Sequence, residues 1–249
     1  MLYINGLNFD CLLLIFDHFS LTEQVKLRII CSKWKQAIEE TFKLKRRLKI
    51  FPHQRSVAES LKCLPNSDKT DDFIIAQNCH VVKGLFPNVI HLTLWFDYSN
   101  NYADLPKYLS QNSVESLSLC GYFKPDAQLC IRILHSINRL STLKRLDLKA
   151  RNLFTSENYR SLPITVNSNV IARLEHFTYS DYFGDLLNFA VHFQKLKHLH
   201  LEHENVVAQL PAIIAANPCL TTTVTRLYLK PNNACAKQFS NLQACNFVI

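Results

Sequence analysis

In the stretch "LRIICSKWKQAI", residues 27–38, Cys31 stands three residues before Trp34, with Lys33 and Lys35 alongside. Nearby positive charge favours the thiolate, the nucleophilic form of cysteine. The same spacing also places a thiol and an indole on one face of a helix, where neighbours lie three and four residues apart. A buried structural cysteine is inert. Packing is the expected role here, with Lys33 and Lys35 turned toward water. The other chemistry-bearing groups lead to the same place. Cys120 and Cys130 have no His-Asp pair at a suitable offset, so a thiol hydrolase has no support. His198 and His200 alternate with Glu202 along one segment, with His176, His192 and His203 nearby. A zinc site wants three or four ligands at closer offsets, and ordinary strand histidines account for the pattern. No nucleophile-base pair and no metal set emerges. The chain is not expected to be an enzyme, and no cofactor or metal is expected.

The bulk composition narrows the classes further. The chain has 249 residues, 48% of them apolar, enough for a sizeable core. It has only 4 Gly and carries neither G-x-G-x-x-G nor the phosphate-loop pattern, which argues against a nucleotide enzyme. The 9 Cys are an odd number and form no C-x-x-C pair, so neither a disulfide framework nor a zinc finger is indicated. A reducing compartment, cytoplasmic or nuclear, fits best. No apolar run reaches membrane-spanning length, and the N-terminus lacks the basic start and cleavage site of a signal peptide. Net charge is +8; residues 1–50 hold 9 Lys/Arg against 5 Asp/Glu, mostly in "KLKRRLK" at 43–49. That run reads as a solvated linker between two folded units, or as a contact for an acidic or nucleic-acid partner.

The elements that hold these residues are legible in the periodicities. In "NFDCLLLIFDHF", Phe9, Leu12, Leu13, Phe16 and Phe19 form one helical stripe, with Asn8 as the cap. Leu14 and Ile15 fall off the stripe, so this helix is apolar on more than one face and something beyond its own core should cover the second. Ser20 and Glu23 form a capping box, and Leu21, Val25 and Ile29 recur with period four. Trp34, Ala37, Ile38 and Phe42 mark a third helix. Three short helices in about 40 residues make a unit too small to stand comfortably alone.

From Leu7 to Ile38 the sequence resembles an F-box. Leu7, Asp10, Leu12, Ile15 and Phe16 match the first half of that motif, and Glu23, Leu27, Arg28, Cys31 and Trp34 the second. Lys33 and Lys35 occupy positions that are usually basic. Asn8 stands where the family usually has proline, which pre-sets the first helical turn; an asparagine cap performs a related job. The resemblance implies docking of a Skp-family adaptor of cullin-RING ubiquitin ligases through Leu7, Leu12, Ile15, Phe16, Leu27, Cys31 and Trp34.

Behind this unit a hexapeptide of the form apolar-x-x-apolar-x-apolar recurs: "VIHLTL" from Val89, "VESLSL" from Val114, "LKRLDL" from Leu143, "LEHFTY" from Leu174, "LKHLHL" from Leu196 and "VTRLYL" from Val224. The starts lie 22 to 31 residues apart, close to the period of leucine-rich repeats. Weaker strand candidates lie at 48, 73 and 242. "DAQLCIRILHSINRL", "DLLNFAVHFQ" and "VVAQLPAIIAANP" read as helices between strands. "LPNSDKTDD", 64–72, reads as a polar loop. The expected fold is therefore α/β: a three-helix F-box-like module, residues 1–45, followed by a curved leucine-rich-repeat solenoid of strand-helix units, residues 46–249, with about eight irregular repeats.

Side chains alternate along a strand. With the leucines inward, the polar face should carry Trp95, Asp147, Lys149, His200, Glu202, Tyr228 and Lys230, joined by Thr93, Ser118, Cys120, Thr178 and Ser180. Trp95 and Tyr228 are the expected anchors, because interface hot spots favour Trp, Tyr and Arg. The leading functional expectation is a substrate-recognition subunit of a cullin-RING ligase. It would dock the adaptor through the helices and an unidentified protein target through the concave face. The alternative is a leucine-rich scaffold that recruits no ligase. A nucleic-acid binder is a third reading, carried by the charge alone. No membrane partner is expected.

Overall fold

The computed structural model describes residues 6–51, 73–75, 85–96, 109, 113–122, 127–151, 168–180, 190–202, 207–229 and 244–247. Three helices open the chain: α1 (Phe9–Asp17), α2 (Leu21–Leu27) and α3 (Ser32–Leu44). Their starts are set locally. Asn8 has extended backbone and its Oδ1 accepts from the Cys11 amide at 2.8 Å. The Ser20–Glu23 capping box is present in both directions, which satisfies amide donors that the helix itself leaves orphaned. Two expectations are corrected here. Cys31 is the N-cap of α3 with extended backbone, so it precedes the helix and does not share a helical face with Trp34. Lys33 does not simply face water: its Nζ donates to the Leu7 carbonyl. The chain also leaves α2 at Arg28, so Ile29 falls outside the period-four stripe of Leu21 and Val25.

Gln24 ties the three helices together. Its Nε2 donates to the carbonyls of Phe16 and Phe19, both at 2.8 Å, and its Oε1 accepts from Thr41 Oγ1 at 3.0 Å. The side chain is buried. Removing it strips partners from buried groups, and that desolvation cost is the large one. Gln24→Ala is expected to lower stability by about 2 kcal/mol, measured by chemical denaturation; an unchanged midpoint would show that the bonds contribute nothing.

The basic run 43–49 is not a linker. Only Lys45 and Arg46 separate α3 from the first strand, β1 (Arg47–Phe51). Leu48 and Ile50 of that strand are buried, and Lys43 pairs with Glu40 at 2.6 Å. The helical unit leans on the segment that leads into the sheet. The Phe42 and Phe86 rings lie 4.5 Å apart, and Asn88 Nδ2 donates to the Lys43 carbonyl at 2.8 Å. One hydrophobic cluster runs from Leu12 to Leu229.

The remaining strands are β2 (Phe73–Ile75), β3 (His91–Phe96), β4 (Ser116–Tyr122), β5 (Arg145–Arg151), β6 (His176–Tyr179), β7 (His198–Leu201), β8 (Arg226–Leu229) and β9 (Ala244–Phe247). All nine are parallel, in the order β2-β1-β3-β4-β5-β6-β7-β8-β9. Strict sequential stacking would put β2 between β1 and β3. Instead the Arg46 carbonyl, just ahead of β1, accepts the amides of Ile90 and His91, so β3 sits directly against β1 and β2 forms the outer edge.

Each hexapeptide enters its strand two residues after its first apolar position. Those first residues, Val89, Val114, Leu143, Leu174, Leu196 and Val224, are buried beneath the turns. One carbonyl per turn then accepts two amides of the next unit: Ile90 from Glu115 and Ser116, Glu115 from Lys144 and Arg145, Lys144 from Glu175 and His176, Glu175 from Lys197 and His198, Lys197 from Thr225 and Arg226. Lys144–Glu115 at 3.1 Å and Lys197–Glu175 at 2.8 Å run alongside. This ladder locks the register, and a one-residue slip would turn every leucine outward. In register, Leu92 and Leu94, Leu117 and Leu119, Leu146 and Leu148, Phe177 and Tyr179, Leu199 and Leu201, and Leu227 and Leu229 are no more than 2% exposed.

Parallel strands need long crossovers. They contain α4 (Ala127–Arg139), α5 (Ser168–Ile171), α6 (Leu210–Ala216) and α7 (Leu220–Thr223). Ile133 and Ile137 of α4 and Leu210 and Ile213 of α6 join the core. Asn217, the C-cap of α6, reaches back to the preceding unit, donating to the carbonyls of Ala190 and Phe193 at 2.7 and 2.8 Å. A helix over 185–194 is not continued past Ala190, where the chain turns; 185–189, like the 64–72 loop, lie outside the described residues.

Candidate functional site

Two surfaces concentrate side chains that the fold does not use. The first is on the helical module. Leu12 and Phe16, expected at the adaptor contact, are 0% and 1% exposed and belong to the module's core. Trp34 packs edge-on against Phe16 at 5.1 Å, and Leu7, Leu27 and Trp34 are partly buried against the same cluster. Ile15 and Cys31 are half-buried. Arg28 is held by Glu39. Left outside are Leu14 at 70% exposure, Phe19 at 39%, Ile29 at 88% and Ile30 at 54%, with Leu44 at 79% apart from them at the end of α3. Exposed large apolar side chains this dense in so short a stretch are unusual on a monomer surface and mark interaction sites. Leu14 is one of the two residues off the α1 stripe; the other, Ile15, is half-buried. Ile29 and Ile30 follow α2 as a pair, and their exposure was not read from the sequence because Ile29 continued an apolar period.

The second surface is the polar face of the sheet. All-parallel sheets are normally covered on both faces, and here the described side chains opposite the leucines are mostly half-exposed. Trp95 lies on β3, its ring 5.9 Å from Phe51 and over Gly121 of the neighbouring strand. Tyr228 lies five strands away on β8, about 24 Å along the sheet at ~4.8 Å per strand. The two expected anchors therefore belong to different regions. Around Tyr228 the structure brings together three of the others. The His200 ring meets Tyr228 edge-on at 3.8 Å, and Glu202 lies 3.3 Å from His200 Nε2 and 3.5 Å from Lys149 Nζ. The His200–Glu202 contact lacks hydrogen-bond alignment, and Nε2 is buried without a partner. Asp147 is corrected from a presented residue to a buried one: its side chain is 7% exposed and accepts from Arg145 Nε at 2.9 Å. Lys230 lies outside the described residues. Burial raises the pKa of Cys120, which leaves that thiol protonated and unreactive.

The strand alternation exposes a further row, beyond the residues expected on the polar face. Arg145, His176, His198 and Arg226 are direct neighbours across β5 to β8. They are the third letter of four successive hexapeptides, one strand step before the expected positions. The signal is in the sequence: alternation carries the polar face one position ahead of the first core residue of each strand. The His176 and His198 rings stack with centroids 4.0 Å apart. A groove of about 230 Å³ runs over this row and Tyr228. Burial lowers the pKa of His176, with the Arg145 charge adding to it. Burial also lowers His198 to about 4, helped by His176, Arg226 and Arg145, and lowers His200 to about 4. All three rings are neutral at pH 7. Among the described residues no group of three or more His, Cys, Asp or Glu is placed to hold a metal.

Protonating these rings destabilises the fold. Unfolded histidine titrates near 6.5, above these folded values, so the unfolded chain binds more protons between them. The stability these rings contribute is complete above about pH 6.5 and is lost as pH falls toward about 4. Ring-proton NMR titration should give midpoints near 4 for His198 and His200. A midpoint near 6.5 for either would mean that its ring is solvated.

Residues 4–44 match the F-box domain family, a stretch that ends at the last residue of α3. Comparison with curated proteins gives no match. F-box domains bind Skp-family adaptors in cullin-RING ligases, and the match indicates an adaptor role in a ligase of that type. F-box proteins are typically adaptors rather than enzymes.

Proposed function

We propose that this chain is the substrate-recognition subunit of a cullin-RING ubiquitin ligase. The observation that carries the reading is the set Leu14, Phe19, Ile29 and Ile30, left exposed inside the residues that match the F-box family. An adaptor covering them would remove apolar surface that the chain itself leaves in water. The strand-helix units from β1 onward act in this reading as a leucine-rich-repeat solenoid, and their polar face holds the target. Hexapeptide spacing, parallel register and the shared turn carbonyls support the solenoid. The chain performs no bond chemistry in this role. It holds a target lysine close to the charged transfer enzyme, and proximity of that kind lowers the barrier to reaction. The site of action is cytoplasmic or nuclear. Among the described residues no helix is long and apolar enough to cross a membrane.

The alternative, a leucine-rich scaffold without ligase recruitment, rests on Asn8 in place of proline. Asn8 caps α1 through its own side chain, so the helix start that proline would favour is kept. Co-purification decides between the two: a stoichiometric complex with a Skp-family adaptor supports the ligase role, and recovery of a target with no adaptor supports the scaffold.

A further inference from the structure

The groove over Arg145, His176, His198 and Arg226 has a chemistry of its own. Three lysines on and beside this part of the face are paired within the chain: Lys144 with Glu115, Lys197 with Glu175 and Lys149 with Glu202. Arg145 gives its Nε to Asp147, which leaves the two terminal nitrogens of its fork for another acceptor. Arg226 makes no ion pair with a described residue and is exposed. Between the two guanidiniums lie the stacked rings of His176 and His198, which carry N–H groups. The groove floor thus joins one free guanidinium and one half-used guanidinium through neutral donors, with no carboxylate in the row.

We propose that this groove binds an extended acidic segment of a partner protein, with two carboxylates four residues apart. The volume, about 230 Å³, is below that of sites for drug-sized ligands and suits a few side chains of a peptide. Arg145 and Arg226 are three strand intervals apart, about 14 Å at the usual strand spacing. Four residues of extended chain span about 13 Å and return to the same face, so acidic side chains at those positions each meet one guanidinium. Arginine forks take carboxylates through two parallel hydrogen bonds, and the imidazole N–H groups serve the acceptors between. This inference rests on the proposed function, since it names what the polar face would recognise in a target.

The test uses the full chain purified with a Skp-family adaptor and fluorescent Ser/Gly peptides carrying two glutamates separated by two, four or six positions. Anisotropy should show the tightest binding at four. It should weaken with salt, vanish when both glutamates become glutamine, and fall about tenfold in Arg226→Gln. Arg226→Lys, which keeps the charge and loses the fork, should recover part of the loss. Arg226 is exposed, so neither variant should shift the thermal midpoint. Equal affinity for glutamate and glutamine peptides, wild-type affinity in Arg226→Gln, or binding confined to phosphoserine peptides would each overturn the assignment. Adaptor capture is read in the same preparations. Loss of peptide binding with capture intact sinks this inference alone, whereas absence of adaptor sinks the ligase role.

Discussion

Replacing Ile29 and Ile30 together by glutamate should abolish capture of a Skp-family adaptor and leave the chain folded. Both residues are mostly in solvent, at 88% and 54% exposure, so the substitution removes no internal contact of consequence. Covering each isoleucine in a complex is worth roughly 1.5–3 kcal/mol, and an unpaired carboxylate in its place must be desolvated. The combined loss corresponds to a hundredfold or more in affinity. The measurement is calorimetric titration of adaptor into the double variant, beside its thermal midpoint. Wild-type affinity would exclude this surface as the docking site. The exposed pair is a cleaner probe than Phe16 or Trp34. Phe16 is 1% exposed and packed against Trp34, so Phe16→Ala should cost roughly 3–5 kcal/mol of stability by leaving a cavity. Adaptor loss in that variant would report unfolding as readily as docking.

Gly121→Ala should be the most damaging single substitution in the sheet. Gly121 pairs with Phe96 across β3 and β4 and has φ of +93°, a region that side chains with a Cβ rarely adopt. A Cβ built there would stand 2.2 Å from the Phe96 carbonyl oxygen and 3.0 Å from Trp95 Nε1. The near atom is backbone of a central strand and cannot swing away. Backbone strain of this kind costs about 1–3 kcal/mol, and the clash adds to it, so the thermal midpoint should drop by about 10 °C. Trp95 packs over this glycine, so its fluorescence should change as well. The chain has two tryptophans, and a Trp34→Phe background isolates the signal. Gly6→Ala is the control, because nothing lies within 4 Å of its Cβ position. A Gly121→Ala midpoint equal to that control would refute the account.

The helix caps were legible because a cap depends on residues two or three positions apart. Asn8 with Cys11, and Ser20 with Glu23, make their bonds wherever the rest of the chain goes. The strands were legible because alternation has a period of two, and all six hexapeptides became the strands β3 to β8. The faces followed from the same alternation. The count of the polar face missed its first row because a strand's start depends on the preceding turn, where Lys144 and Glu175 supply carbonyls to the next unit. Asp147 was misplaced for a related reason. Alternation assigns it to the polar face, but the Arg145 side chain closes over it and draws its carboxylate down to 7% exposure.

On its own, then, the sequence determined the elements, their caps, the leucine-lined core of the sheet and the F-box resemblance of the first helices, since each rests on spacing within one segment. Only the tertiary structure decided which apolar residues of the helical module are core and which are surface. Leu12 and Ile29 are both aliphatic and both sit on an apparent period, but Leu12 lies inside α1 and is buried in the core, whereas α2 has ended before Ile29, which is left in solvent. Only the tertiary structure placed β2 outside β1, ran the basic stretch from the end of α3 directly into β1 with no linker, and set Arg145, His176, His198 and Arg226 side by side. Those four come from units separated by long crossovers. Their meeting depends on register accumulated through every intervening turn, which no local spacing encodes.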